Sequence, residues 1–238
     1  MISRVSIVIP VYNEGNAVES ILRRIDSSVT LSHEILVVYD SPEDSTLPAL
    51  RILEEQLPSF RAIQNDVAIG PAGAIRTGFR HSTSPVVVVT MADGCDDPEQ
   101  IDTLAKLVER GVVIACASRY SRGGQQIGGA FLKTLLSRLA GLSLHYLARV
   151  GTRDATNSFK AYSKEFVDGV GIESDHGFEI GIELIAKARR LRLPVAEIST
   201  IWLDRSFGES NFNLMKWSPY YLKWYVHALG LTRSRKRN

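Results

Sequence analysis

The sequence predicts an α/β fold, a mainly parallel sheet with helices on both faces, and three observations predict it. Short runs of β-branched and aliphatic residues recur through the first half: RVSIVIPV at 4–11, EILVVY at 34–39, PVVVVT at 85–90 and VVIACA at 112–117. These runs are apolar throughout rather than alternating, as strands covered on both sides must be. Between them lie segments with apolar residues at helical spacing, joined by short polar loops. The arrangement is Rossmann-like, and such sheets take their ligands beyond the carboxyl ends of the strands.

The elements follow in order. The first strand stops at Pro10 and the polar Tyr12-Asn13-Glu14-Gly15, and Val18, Ile21, Leu22 and Ile25 then mark a helix over 16–25. The second strand enters the turn Asp40-Ser41-Pro42-Glu43-Asp44, and Leu47, Leu50, Ile52 and Leu53 resume the helical period. A short strand at 61–64 leads to Ala68-Ile69-Gly70-Pro71-Ala72-Gly73 and a helix through His81. The strand at 85–90 delivers Asp93, Asp96, Asp97 and Glu99 into one loop before a helix over 98–110, which Asp97 is expected to cap ahead of Pro98. The strand at 112–117 closes the alternation.

The second half is organised differently. Residues 118–129 (SRYSRGGQQIGG) are glycine-rich and basic. A long amphipathic helix over 130–149 carries Leu132, Leu135, Leu136, Leu139, Leu142 and Tyr146 on one stripe. That stripe suits either packing on the sheet or lying at a membrane interface. A segment at 154–162, a helix at 178–190 and a strand at 195–202 complete a domain expected to span 1–210. An extension over 211–238 is aromatic and basic, with Trp217, Tyr220, Tyr221, Trp224 and Tyr225 among Lys216 and Lys223, and ends in TRSRKRN. Its character suggests a membrane-surface role.

Bulk properties exclude several classes. Across 238 residues the formal charge is only +2, so no global field favours nucleic acid. The two cysteines, Cys95 and Cys116, lack metal-ligand or CxxC spacing, and reduced thiols in a cytoplasmic setting are expected. No window approaches the ~18–20 apolar residues of a membrane span. The start is too short an apolar run for a signal peptide.

Carboxylates crowded at the edge of such a sheet repel one another unless a cation relieves them. A hard dication, Mg²⁺ or Mn²⁺, binds through one or two carboxylates plus substrate phosphates. Asp93, just after its strand, is the best candidate ligand, with Asp96 or Asp97 as helpers.

Five motifs in order carry a resemblance: PVYNE at 10–14, the Asp40–Asp44 turn, ADGCDDP at 92–98, ASRY at 117–120 followed by Gly123-Gly124, and DRSFGES at 204–210. The chain resembles the family 2 glycosyltransferases, on the branch of the dolichol-phosphate mannosyltransferases and related polyprenyl-phosphate sugar transferases. The resemblance implies a GT-A type fold, a nucleotide-sugar donor (GDP-mannose or a UDP-sugar), a divalent metal, inversion at the anomeric carbon, a polyprenyl phosphate acceptor and a peripheral place at the membrane. It implies that Pro10, Tyr12 and Glu14 hold base and ribose, that Asp40 serves the second nucleotide loop, and that Asp93 binds metal. It also implies that Arg119 faces the transferred phosphates, that Lys133 and Ser137 serve the acceptor phosphate, and that Arg205 closes on the donor. Asp93, Arg119 and Arg205 are the expected catalytic residues. Lys133 and Ser137, four apart, share a helix face, and an arginine fork suits phosphate oxygens.

The chain also departs from the pattern. Met91 stands where the first acid of the Asp-x-Asp motif is usual, and Cys95 where a polar ligand is. Tyr39 precedes Asp40 where two acids often stand together, and Asn157-Ser158-Phe159-Lys160 replaces Ser-Gly-Phe-Arg. Two other readings stay open: transfer to a soluble hydroxyl acceptor with Asp96 or Asp97 as base, and a nucleotide-sugar-binding subunit impaired in turnover.

Overall fold

Seven strands form one sheet in the order β3-β2-β1-β4-β7-β5-β8: β1 (Val5–Val11), β2 (His33–Tyr39), β3 (Phe60–Gln64), β4 (Val86–Val89), β5 (Ile114–Ser118), β7 (Lys160–Ser163) and β8 (Val195–Ser199). All are parallel except β7, which runs antiparallel between β4 and β5. A second sheet pairs β6 (Gln125–Ile127) with β9 (Ile201–Leu203). The structure, a computed structural model, describes residues 3–204 and 214–231, with the side chains of 214–217 outside that description.

Strand composition accounts for the layering. Every residue of β1, β4 and β5 is buried, so both faces need cover. On one face α1 (Val18–Ser28), α2 (Leu47–Gln56) and α4 (Ile101–Glu109) pack through Val18, Leu22, Leu50, Leu53, Ile101 and Leu104. On the other, α3 (Pro71–His81), α6 (Lys164–Val170) and α7 (Ile180–Arg190) pack through Ile75, Phe79, Phe166, Leu184 and Ile185. Helix α3 lies so close to β1 that a Cβ on Gly78 would fall 2.2 Å from Val8 Cγ1.

Several boundaries differ from the sequence reading, each for a local reason. The helix expected over 98–110 opens as a 3₁₀ turn, Pro98–Gln100, because Pro98 has no N–H to give and Asp97 caps the turn from outside. The strand expected at 112–117 starts at Ile114. The strand expected at 195–202 is cut at Thr200, so its last residues leave the main sheet to pair with β6. Residues 160–163, inside the 154–162 segment, form the antiparallel strand.

The amphipathic helix is α5 (Phe131–Ser143), continued by a π-helical turn over Leu144–Ala148 and stopped by Arg149 at φ 55°. Its apolar stripe does not pack on the sheet: Phe131, Leu132 and Leu139 keep 79%, 59% and 56% of their surface exposed. The body touches the helix instead at Gly141, where a Cβ would meet the Arg153 carbonyl oxygen at 2.1 Å. Within the C-terminal segment, α8 (Leu214–Ala228) packs on α7, burying Trp224 and Ala228. The Trp224 indole N–H donates to Ser174 Oγ at 2.9 Å. The basic tail lies outside the described residues.

Candidate active site

The parallel strands bring the loops after β1, β2, β4 and β5 to one edge, and antiparallel β7 begins there, since Lys160 pairs with Val89 and Cys116. At β1, Pro10 is buried inside the strand. Thr90 N donates to Val8 O, and β4 has ended by Val89, so the missing Pro10 N–H costs no ladder bond. Tyr12 is exposed at the tip.

The loop that follows is tied to the turn after β2. Asn13 sits at φ 57°, and its N–H donates to Asp44 Oδ1 at 3.1 Å. Asp44 also receives Thr46 N at 2.8 Å, and Thr46 Oγ1 receives Glu14 N at 3.0 Å. Asp44, the last acid of the Asp40–Asp44 turn, is buried. Asp40 receives Asn65 Nδ2 at 2.6 Å and Gly70 N at 2.9 Å, anchoring the approach to α3.

In the acidic loop, Gly94 at φ 72° lets the chain double back, and Asp93 Oδ1 receives Cys95 N at 3.1 Å. Asp96 Oδ2 receives Thr90 Oγ1 at 2.9 Å. Burial, and then the charge of Asp93, pushes the Asp96 carboxyl up to about 7. Asp97 Oδ1 receives Glu99 N, the cap expected of it. Cys95 is buried, its thiol 3.8 Å from the Asp93 carbonyl, so sulfur is directed at backbone. Asp93 and Asp96, acids of one turn, carry the oxygen ligands that a hard dication takes. Asp93 and Asp96 would hold it, with Met91 contributing no oxygen.

Across the edge stands a second polar group built on Arg119. Its Nε and one terminal nitrogen donate to the two oxygens of Asp154 at 2.7 and 2.9 Å, and its backbone N–H adds a third bond at 3.0 Å. Asp154 is wholly buried. Burial works against the guanidinium charge, but the Asp154 carboxylate outweighs it and raises the Arg119 pKa. Arg119 also donates to Ser137 Oγ at 3.2 Å, and that hydroxyl meets Tyr120 OH at 3.1 Å and Thr156 Oγ1 at 2.7 Å. Below lies Lys160, fully buried and donating to Ala155 O at 3.2 Å; burial pulls its ammonium below the usual range.

Arg119 and Tyr120 form one wall of a cavity of about 330 Å³, with Gln126 from β6 and Thr134 and Arg138 from α5 opposite. Of the pair expected on α5, Ser137 stands behind Arg119 and Tyr120, and Lys133 is half-buried one residue before Thr134. Arg205 lies outside the described residues. Its neighbour Asp204 receives Gly129 N at 2.9 Å, and Leu203 N donates to Cys95 O at 3.3 Å, so the end of β9 joins the glycine turn to the acidic loop.

Asp154, Tyr120 and Arg138 were not foreseen. Asp154 is an isolated acid in GTRDATNS with no pattern to mark it, whereas Arg138, four residues after Thr134, has the spacing that also puts Lys133 and Ser137 on one face. A separate cluster, Asp175, His176 and Glu179, gathers its ligand atoms within 4.8 Å. There Glu179 already receives His176 N at 3.2 Å and Gly177 N at 2.8 Å, the work of a loop cap.

Residues 6–171 match the family model described as glycosyl transferase family 2. The chain belongs to glycosyltransferase family 2. Among curated relatives of this family, it is 30% identical over 232 residues to a dolichol-phosphate mannosyltransferase of Pyrococcus furiosus. It is 27% identical over 219 residues to an undecaprenyl-phosphate 4-deoxy-4-formamido-L-arabinose transferase of Serratia proteamaculans. Each match covers 90% of this chain and 64% of the relative, so the chain spans less than two thirds of their length. The fold is similar to that of glucosyl-3-phosphoglycerate synthase from Mycobacterium tuberculosis, solved with Mn²⁺, UDP and glucosyl-3-phosphoglycerate. The TM-score is 0.72 at 17% identity, covering 98% of this chain and 82% of that one. The family 2 sheet is thus of the GT-A type. Among the described residues no helix is long and apolar enough to cross a membrane.

Proposed function

We propose that this family 2 protein moves a hexosyl group from a nucleoside-diphosphate sugar to a polyprenyl phosphate, with inversion, while docked on the cytoplasmic surface of a membrane. One observation carries the reading: a cavity walled by arginines opens beside α5, whose outward face is apolar and exposed. The two relatives, by name a dolichol-phosphate mannosyltransferase and an undecaprenyl-phosphate sugar transferase, support it. Transfer of a half-exposed leucine from water to the acyl boundary is worth on the order of 1 kcal/mol. Several on one helix make a reversible anchor.

An acceptor phosphate is ionised near pH 7, so its oxygen attacks the anomeric carbon without a general base. The bond from that carbon to the diphosphate breaks, and the nucleoside diphosphate leaves with the electron pair. The loops at Tyr12–Glu14 and Asp40–Asp44 hold the nucleotide, Asp93 and Asp96 would hold Mg²⁺ or Mn²⁺, and Arg119 orients the incoming phosphate. The metal, when bound, supplies charge neutralisation at the leaving diphosphate. Arg205 and Lys133 add positive charge on the donor and acceptor sides.

Transfer to a hydroxyl acceptor is a second reading, in which Asp96 or Asp97 of the acidic loop would serve as the base in place of a metal ligand. One assay separates the two. Radiolabelled GDP-mannose or a UDP-sugar is incubated with Mn²⁺ and polyprenyl phosphate in anionic vesicles, then extracted with organic solvent. Label in the organic phase is expected; label confined to water in every arm defeats the lipid reading. Vesicle flotation should be lost in Leu136→Glu/Leu139→Glu. Asp93→Ala should abolish calorimetric Mn²⁺ binding in the presence of nucleotide.

A further inference from the structure

We infer that Arg138, seconded by Thr134, is the residue that grips the phosphate of the acceptor, and that Arg119 serves as the fixed floor of that site. The inference rests on the reading above and names the recognised group: a phosphate monoester.

Arg119 is poorly placed to supply net charge. Two of its donor directions end on Asp154 and another on Ser137, so the buried pair is neutral as a unit and cannot swing outward. A dianion entering the cavity needs a cation that nothing has neutralised. Arg138 is that cation: it is exposed, it lines the cavity, and among the described residues no carboxylate lies within ion-pair distance of it. Among the described residues no acidic side chain lines the cavity.

Thr134 lies four residues earlier on the same helical face. Its hydroxyl oxygen receives Gln126 Nε2 at 2.8 Å, which leaves its own proton to donate into the cavity. The fork of Arg138 and the Thr134 hydroxyl thus offer directed donors to phosphate oxygens. The neighbouring residues Leu135, Leu136 and Leu139 are exposed. The phosphate grip therefore borders the apolar face.

The test is calorimetric titration of the full chain, with Mn²⁺ and nucleoside diphosphate present, using citronellyl phosphate, glycerol 3-phosphate and citronellol as probes. Citronellyl phosphate should bind and citronellol should not. Arg138→Ala should weaken citronellyl phosphate at least tenfold, while Arg138→Lys, which keeps charge but loses the fork, should recover part of the loss. Among the described residues Arg138 makes no hydrogen bond or ion pair, so the alanine variant should melt at the wild-type temperature and bind nucleoside diphosphate unchanged. Equal affinity in wild type and Arg138→Ala, tight citronellol binding, or no binding of either phosphate overturns the inference. Arg138-dependent binding of glycerol 3-phosphate as tight as that of citronellyl phosphate upholds the phosphate grip and counts against the lipid acceptor. Arg138-dependent binding with no sugar transfer upholds the grip and removes the proposed reaction.

Discussion

Asp154→Ala should be among the most damaging single substitutions in the chain. The carboxylate is wholly buried and receives three bonds from Arg119, a fourth from Asn157 N at 3.2 Å and a fifth from Thr156 Oγ1 at 3.4 Å. Removing it strands a guanidinium away from water, and breaking a buried pair in this way costs about 3–5 kcal/mol. For a domain of this size that is a fall of about 6–20 °C in melting temperature. Arg119→Met should cost a comparable amount by orphaning Asp154. The double variant removes both charges, so its loss should be smaller than the sum by about 2–3 kcal/mol.

The pH dependence has a definite sign. Burial would raise the Asp154 carboxyl, but the charge of Arg119 outweighs it and holds the group below its ordinary value of 3.8. Its contribution is therefore full above that value and fades as pH falls through the lower folded-state pKa. Urea unfolding followed by circular dichroism on the four proteins, at pH 7 and down to pH 3, measures both effects. Additivity of the single substitutions within about 0.5 kcal/mol would refute the coupling.

Gly141→Ala should cost about 1–3 kcal/mol, read as a lower urea midpoint, because the new methyl meets the Arg153 carbonyl oxygen. Asp96 should act on pH in the opposite sense to Asp154. Its folded-state carboxyl is pushed up to about 7 from an ordinary 3.8, so its contribution is full below about pH 4 and lost as pH rises through about 7. In chelator-treated protein the stability should fall between those limits by at most about 1.4 kcal/mol per pH unit. Thermal melts of Asp96→Asn should show that slope reduced, and an identical slope would remove Asp96 as its source.

What could be read from the sequence follows from what each signal encodes. Buried parallel strands announce themselves by unbroken β-branched runs, which is why β1, β2, β4 and β5 and the helices between them stand close to where they were expected. Strand direction has no such signature: Lys160–Ser163 (KAYS) is almost as buried as its parallel neighbours, and only pairing with Val89 and Cys116 reveals its reversal. The leucines of α5 show an amphipathic helix without saying what covers it, and the structure leaves them outside. Spacing placed Lys133 and Ser137 on one face. Which face turns to the cavity depends on how Gly141 seats the helix, and the neighbouring pair, Thr134 and Arg138, takes the wall. The burial of Asp44 and Asp154 was invisible because a buried acid looks like any other until its donors, from distant residues, are in view. The match at Asp97 is of the opposite kind, since a cap is made within a few residues.

The hydrogen-bonded sheet also acts as a ruler. Between β1 and β5 lie three lateral steps, through β4 and β7, and at about 4.8 Å each the Tyr12 loop and Arg119 are held about 14 Å apart. The distance between these two loops is thus set by backbone spacing before any side chain is consulted.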